Sequence, residues 1–533
     1  MRLLYPIDTN DQDPDAIAFR VCGEPEVVTY GQLEQRANQA AHVFRACGAR
    51  LGDHAAILLK NQREFLEICF GAERAGLYYT TMSTRLTVAE LAYIVQDCGA
   101  KVLIVGEDLL ELGEKITQAL TTPLHQFVVG CAQQNWPSWQ ASAEQFSVDP
   151  ISDEAQGLDM LYSSGTTGRP KGVKWPLPDG PSGMRTFLVN LLEGLYGYGK
   201  GCRYLSPAPL YHAAPLRHSM TNIKLGGEVF VMSQFDAQTA LALHQQHQIT
   251  HSQWVPTMFV RMLKLPEATR LSFDLSSMKR AIHAAAPCPV DVKLQMIEWW
   301  GPVIDEYYAG TENNGFCSIT SDEWLLHQGS VGKAALGVAH ICDEEGHALE
   351  VGATGLVYFS EGPKFEYHGD AAKTAETRND LGWTTLGDIG RLDAEGYLYL
   401  VDRKAFMIIS GGINIYPQEI EAVLIGHPLV LDVAVFGIPN SDFGEEVKAV
   451  VQLVKDQSGS ESLAAELIAY CREQLADFKC PRSVDFSIEL PRHPTGKLYK
   501  KILRDRYWPA AASITSSPSS QQSPLPTSLN PLS

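Results

Sequence analysis

The chain has 533 residues, 45% of them hydrophobic and 20% charged, with a formal net charge of −19. That length exceeds one ordinary core, so two or more domains of a globular protein are expected. The acidic balance argues against a general nucleic-acid binder, because a phosphate backbone would be repelled; any polyanionic ligand must be met by local cations and backbone N–H groups.

Eleven cysteines are scattered from Cys22 to Cys480 with no CxxC pair. Neither a disulfide framework nor a zinc site is expected, and a reducing cytoplasm fits best. The first residues, MRLLYPIDTNDQDPD, turn acidic at once and do not read as a signal peptide. No run of about 18 apolar residues occurs, so no transmembrane segment is expected; peripheral membrane contact and self-association stay open.

In chain order, residues 29–46 (TYGQLEQRANQAAHVFRA) read as a helix entered from a strand, 55–60 (AAILLK) as a buried strand, 89–98 as a helix and 101–105 (KVLIV) as another strand. The rhythm repeats with a strand over 227–232, a helix over 237–248 and a strand over 249–254. Strands separated by helices of this length predict parallel α/β sheets. After Asp402 the pattern changes. A helix opens near Pro417, strands are predicted over 431–437 and 447–454, an amphipathic helix over 461–476 and a last strand over 484–490. The reading is therefore a large α/β domain over 1–402, a small α+β lid domain over 403–508, and a Ser/Pro-rich tail over 509–533 whose composition predicts disorder.

Residues 162–173 read YSSGTTGRPKGV, placing five hydroxyl side chains, three glycines and two cations in twelve positions. Gly165 and Gly168 let the backbone approach an anion. Exposed N–H groups with the hydroxyls of Ser163, Ser164, Thr166 and Thr167 can ring phosphate oxygens, and Lys171 supplies charge. The GxxxxGK[ST] pattern is absent, so this is not a Walker A loop. The order YSSGTTGRPKG resembles the phosphate-binding signature of the adenylate-forming superfamily, which contains acyl-CoA synthetases, the adenylation domains of peptide synthetases and luciferases.

Further segments extend the resemblance over roughly residues 29–508. PLYHA (209–213) is similar to the segment beside the acyl pocket, which makes His212 the gate candidate. HAAAPCP (283–289) matches a glycine-rich turn against the nucleotide at Ala285, Ala286 and Pro287, with alanines where the family has glycines. In YYAGTENNG (307–315) the resemblance implies that Tyr308 stacks on adenine, Thr311 touches the phosphates and Glu312 ligates Mg²⁺. In WTTLGDIG (383–390) it implies that Asp388 holds the ribose hydroxyls. GYLYLVDRKAFMIISGGINIYPQEIE (396–421) is similar to the hinge between domains: Arg403 holds ribose or phosphate, and Ser410, Gly411 and Gly412 meet the pantetheine arm of coenzyme A. Ala405, Phe406 and Ile413 depart from the charged residues common there, so charged hinge contacts are not carried over. In PRHPTGKLYKK (491–501) Lys497 matches the catalytic lysine brought in by the small domain.

The resemblance, which is closest to the fatty-acid and steroid-acid CoA ligase branch, implies the adenylate-forming fold. It also implies a reaction of a carboxylic acid, ATP and coenzyme A that gives acyl-CoA, AMP and diphosphate through an acyl-adenylate, with Mg²⁺ as cofactor. Tyr211, His212, Trp254, Thr257, Met258 and His283 are the expected acyl-pocket wall, mostly apolar or aromatic, which favours a fatty, steroid side-chain or aryl acid. Asp236, in VMSQFDAQ, lies in the stretch where an amino-acid-activating relative carries an aspartate for the amino group. The alternatives are an acyl-AMP ligase that loads a carrier protein, a luciferase-like oxygenase and a non-catalytic nucleotide- or lipid-binding scaffold.

Overall fold

The computed structural model describes residue 4 and residues 13–163, 170–492 and 498–508. Ser164, Gly165, Thr166, Thr167, Gly168 and Lys497 lie outside them, as does the tail. Among the described residues the chain forms five sheets.

The first is a fully parallel five-stranded sheet in the order His125–Val129, Ala100–Gly106, His54–Leu58, Tyr78–Thr81, Leu158–Asp159. Its central strands read as continuous apolar runs because helices cover both faces. The Tyr30–Ala46 helix packs there. Thr29 and Gln32 close a reciprocal capping box at its start, satisfying two N–H groups that have no partner within the helix. It lies against the Arg63–Arg74 helix at Gly71, where a Cβ would come within 2.4 Å of the Ala40 Cβ. Glycine there permits the close approach.

The second sheet has nine strands. Six run parallel, in the order Ile304–Tyr308, Arg280–His283, His251–Trp254, Arg203–Ser206, Glu228–Met232, Ile17–Cys22. Antiparallel strands close both edges. A buried ion pair, Lys224 Nζ to Glu73 Oε1 at 2.6 Å, ties a helix of this layer to a helix of the first. Residues 338–403 add a four-stranded antiparallel sheet, Val338–Cys342, Thr354–Ser360, Thr384–Leu392 and Leu398–Arg403, which the alternating βα reading did not anticipate. A three-stranded sheet of Glu366–Tyr367, Lys171–Lys174 and Leu161–Ser163 carries the flanks of the phosphate-loop motif.

The fifth sheet belongs to the C-terminal part. The long antiparallel pair Val430–Asn440 and Gly444–Leu453 is joined by Ile408–Ser410, Ile413–Ile415 and a parallel Ser483–Phe486 strand. The Pro417–Ile425 and Glu461–Arg472 helices cover it over a core of Ile408, Ile420, Val435 and Leu467. The second helix stops four residues short of the predicted 476, and a 3₁₀ turn follows at Asp477–Lys479. The last strand likewise ends at Phe486, because Ser487 turns back to bond the Glu489 carbonyl. Asp402, at the end of the large sheet, accepts from the Gln418 N–H at 3.2 Å and so caps the Pro417–Ile425 helix across the domain junction.

Candidate active site

The carboxyl ends of the parallel strands in the nine-stranded sheet open onto a cavity of about 270 Å³. Ligands of open α/β sheets bind at such an edge. One side is polar: Ser163, Lys171, Thr311, Glu312, Tyr367 and Arg403 line it. The other is walled by Leu188, Leu192, Tyr211, His212, Ala284 and Phe316.

Ser163 and Lys171 bracket the phosphate-loop motif and are register partners across two antiparallel strands. The Lys171 ammonium stands 4.9 Å from the centre of the Tyr367 ring. Burial, reinforced by Lys373, lowers its pKa, while Glu312 pulls the other way. Glu312 accepts from the Tyr367 hydroxyl at 3.0 Å and from Ser163 Oγ at 3.4 Å, both on Oε1. Burial and the Glu312 charge raise the Tyr367 pKa, so that hydroxyl stays a donor.

A second polar group forms beside it. Asp388 and Arg403 are cross-strand partners in the antiparallel sheet. Arg403 Nε donates to Asp388 Oδ1 at 2.9 Å, and the Tyr308 hydroxyl donates to Oδ2 at 2.6 Å. Asp388 holds the guanidinium firmly charged. Arg217 forks onto Asp159, with Nη2 at 2.8 Å from Oδ2, and its Nη1 donates to the Thr311 carbonyl at 3.2 Å. It therefore anchors the Thr311–Glu312 turn to the neighbouring sheet.

Two matches decide the identity of this arrangement. The AMP-binding enzyme family matches residues 8–364, and its C-terminal domain matches residues 419–497. The chain belongs to the adenylate-forming AMP-binding enzymes. It is 33% identical to the long-chain-fatty-acid–CoA ligase FadD13 of Mycobacterium tuberculosis over 488 residues, 90% of this chain and 93% of that one. It is 32% identical to the fatty acid–[acyl-carrier-protein] ligase ScoC of Streptomyces coeruleorubidus, covering 91% of this chain and 92% of that one. Among solved structures, the anthranilate CoA ligase AuaEII in complex with anthranoyl-AMP superposes with a TM-score of 0.81 at 26% identity, over 95% of this chain and 98% of that one.

Within this adenylate-forming enzyme, the motif residues Ser163, Lys171, Tyr211, His212, Ala285, Thr311, Glu312 and Arg403 come together on one cavity. Tyr308 and Asp388 stand directly behind Arg403 rather than on the wall. Ala285 adopts φ +75°, a conformation that favours glycine, and Ala286 and Pro287 follow it away from the cavity. Four of the residues expected on the acyl wall lie elsewhere. Trp254 and Met258 are buried in the core with Phe259 and Met296, Thr257 precedes Met258 on the same helix, and His283 is fully buried 3.4 Å from Glu306. Trp254, Met258 and His283 are buried in the core, and Thr257, half-buried on its helix, does not line the cavity. Leu188, Leu192, Ala214, His218 and Phe316 take their place on the wall.

Ser410 ends a strand, and Gly411 (φ +57°) and Gly412 (φ +82°) form the two-residue turn of a hairpin on the small domain, away from the cavity. Both positive angles are what such a tight turn requires. Asp236 caps the Ala237–His247 helix, accepting from the Thr239 N–H at 2.8 Å, and does not reach the cavity. Arg217, Tyr367 and His218 were not legible as site residues, since each is a lone side chain outside the quoted motifs or unassigned within them.

Proposed function

We propose that this enzyme joins a carboxylic acid to coenzyme A through an acyl-adenylate. The observation that carries the reading is the juxtaposition of two cations, Lys171 and Arg403, on a cavity whose far half is apolar. That division suits a hydrophobic acid whose carboxylate must meet a triphosphate.

A carboxylate oxygen of the acid attacks the α-phosphorus of ATP, the bond to the pyrophosphate bridging oxygen breaks, and pyrophosphate leaves. Both reactants are anionic, so repulsion is the first obstacle. Lys171, Arg403 and Ser163 line the nucleotide side, and Lys497 is assigned to the carboxylate and α-phosphate. Preorganised groups of this kind contribute about 3 kcal/mol each to the transition state when deleted singly. The ribose hydroxyls are assigned to Asp388, whose orientation Arg403 and Tyr308 fix.

Glu312 suits Mg²⁺. It is buried at the cavity, only its Oε1 is hydrogen-bonded among the described residues, and Oε2 is left for a hard cation. No group of three or more His, Cys, Asp or Glu gathers there among the described residues, which matches a metal that takes one carboxylate plus substrate phosphates. Bound there, the ion would neutralise charge developing on pyrophosphate.

For thioester formation the small domain rotates about the Asp402–Arg403 junction and brings the Ser410–Gly412 turn to the cavity, where the coenzyme A thiol attacks the mixed anhydride and AMP leaves. The exposed turn and the single backbone junction support this reading. A carrier-protein acceptor is the second reading, favoured by the likeness to ScoC. The test is an assay with ATP, Mg²⁺ and a panel of fatty, steroid side-chain and aryl acids, with and without coenzyme A, read for AMP and acyl-CoA by mass spectrometry. Acyl-CoA is the expected product. Acid-dependent pyrophosphate without acyl-CoA points to a carrier protein, and no acid-dependent product at all overturns the ligase reading.

A further inference from the structure

The apolar half of the cavity ends on a histidine that the reaction above does not use. His218 lies on the Ala213–Lys224 helix, six residues beyond His212, so about 9 Å deeper along the helix axis. It is only 3% exposed, yet it contributes to the cavity wall. Its Nδ1 is 2.7 Å from the Tyr198 hydroxyl. Among the described residues that hydroxyl has no other polar partner, and Nε2 makes no hydrogen bond.

The proton positions follow. A buried tyrosine hydroxyl with one partner donates to it, since otherwise its own hydrogen is stranded. Nδ1 is therefore the acceptor and Nε2 carries the hydrogen. Burial, aided by the neighbouring Arg217, lowers the ring's pKa to about 3, so it is neutral and Nε2–H is its one free donor. Arg217 is already engaged with Asp159, and no carboxylate faces the ring.

The surroundings set the shape. The Tyr307 ring stacks on Phe316 at 4.8 Å and 9°, and His218 lies nearly parallel to Tyr307 at 5.8 Å and 20°. Leu188 and Leu192 form the opposite side, and the packed core of Tyr196, Tyr204 and Leu216 closes the end. The volume of about 270 Å³ falls just below the range typical of ligand sites, about 300–1,000 Å³, and part of it borders the nucleotide residues.

We propose that the acid activated here is a compact aromatic acid bearing an acceptor oxygen at the end remote from its carboxylate, received by His218 Nε2–H between the Tyr307 face and Leu192. The inference rests on the acid-activating reading of the same site. It makes His218 a specificity-determining residue and Tyr198 the group that fixes its tautomer.

The test compares kcat/KM for acid-dependent AMP release by the full chain with p-methoxycinnamate, with p-ethylcinnamate, which has nearly the same shape but no acceptor, and with palmitate. The methoxy acid is expected to exceed the ethyl acid by roughly tenfold, the worth of one buried hydrogen bond, and palmitate to fall below both. In His218→Phe the methoxy-to-ethyl ratio is expected to fall to about one. The wild-type ratio stands as a test even if that variant does not fold. Palmitate as the best substrate, a wild-type ratio of one or less, or a ratio retained in folded His218→Phe overturns the proposal while leaving the ligase reading intact; no AMP with any acid overturns both.

Discussion

Asp388 has both oxygens engaged, one by Tyr308 and one by Arg403, in a position 6% exposed. A carboxylate held this way is a fixed acceptor with a guanidinium against it. Asp388→Ala removes the acceptor and leaves Arg403 without its partner. The KM for ATP is predicted to rise about 10–100-fold, the range for hydrogen bonds to a charged group, with a smaller change in kcat; an unaltered nucleotide affinity contradicts the ribose assignment. Lys171 gives a pH signature. Its pKa is lowered, chiefly by burial, so its charge is lost at lower pH than that of an ordinary lysine. The alkaline limb of kcat/KM for ATP is predicted below the usual lysine range, and Lys171→Arg is predicted to move it upward; a limb at the usual position rules out this origin. At this scale residue order carried the reading, as in YSSGTTGRPKG and YYAGTENNG, and it singled out Ser163, Lys171, Thr311, Glu312 and Arg403, which come together on one cavity. Arg217, Tyr367 and His218 were not legible, because only the tertiary fold brings a lone side chain to the cavity. Trp254 and His283 misled for the converse reason: an aromatic near a motif resembles a pocket wall when it packs beneath one.

The elements were most legible where a cap declares an end. Thr29 and Gln32 mark the start of the Tyr30–Ala46 helix, and Pro417 marks the next domain's first helix. The antiparallel sheet of residues 338–403 escaped because its strands are partly exposed and its pairing is broken by register shifts, so they show neither continuous apolar runs nor a clean alternation. Two elements carry predictions. The turn after the Arg280–His283 strand forces Ala285 into φ +75°, which costs roughly 1–2 kcal/mol for a residue with a Cβ. Ala285→Gly is predicted to leave the melting temperature equal or higher, because relief of strain offsets the extra freedom of the unfolded chain, whereas Ala285→Val is predicted to lower it. The reverse order excludes the strain. Beneath the same turn, Lys293 and Glu306 form a buried ion pair at 2.6 Å across the Val290–Trp300 helix and the Ile304–Tyr308 strand. Lys293→Met strands a buried carboxylate and is predicted to destabilise by about 3–5 kcal/mol in denaturant titration. A loss under about 1 kcal/mol shows that Glu306 is neutral.

At the scale of the whole molecule, two α/β layers and a small domain meet where the sheet ends open, and the junction passes through Asp402 and Arg403. The change in rhythm after Asp402 was legible, and strands from Ile408 onward form a sheet of their own; how the parts share the site was not, because no local pattern encodes the Asp402 cap on Gln418. Within the motif that carries Lys497, Tyr499 is half-buried near Glu90 and Tyr211, and burial with those two groups pushes its pKa up to about 12. The C-terminal segment thus comes near Tyr211, which lines the cavity. Lys497→Ala is accordingly predicted to depress adenylation far more than thioester formation from a preformed adenylate, and equal losses in the two half-reactions contradict the rotation.

The central claim is that the acid's own oxygen becomes bonded to the α-phosphorus. Turnover of an acid labelled with ¹⁸O in both carboxylate positions, followed by mass spectrometry of the AMP, tests it directly. The acyl-adenylate route predicts one label atom in every AMP formed; AMP carrying no label contradicts it.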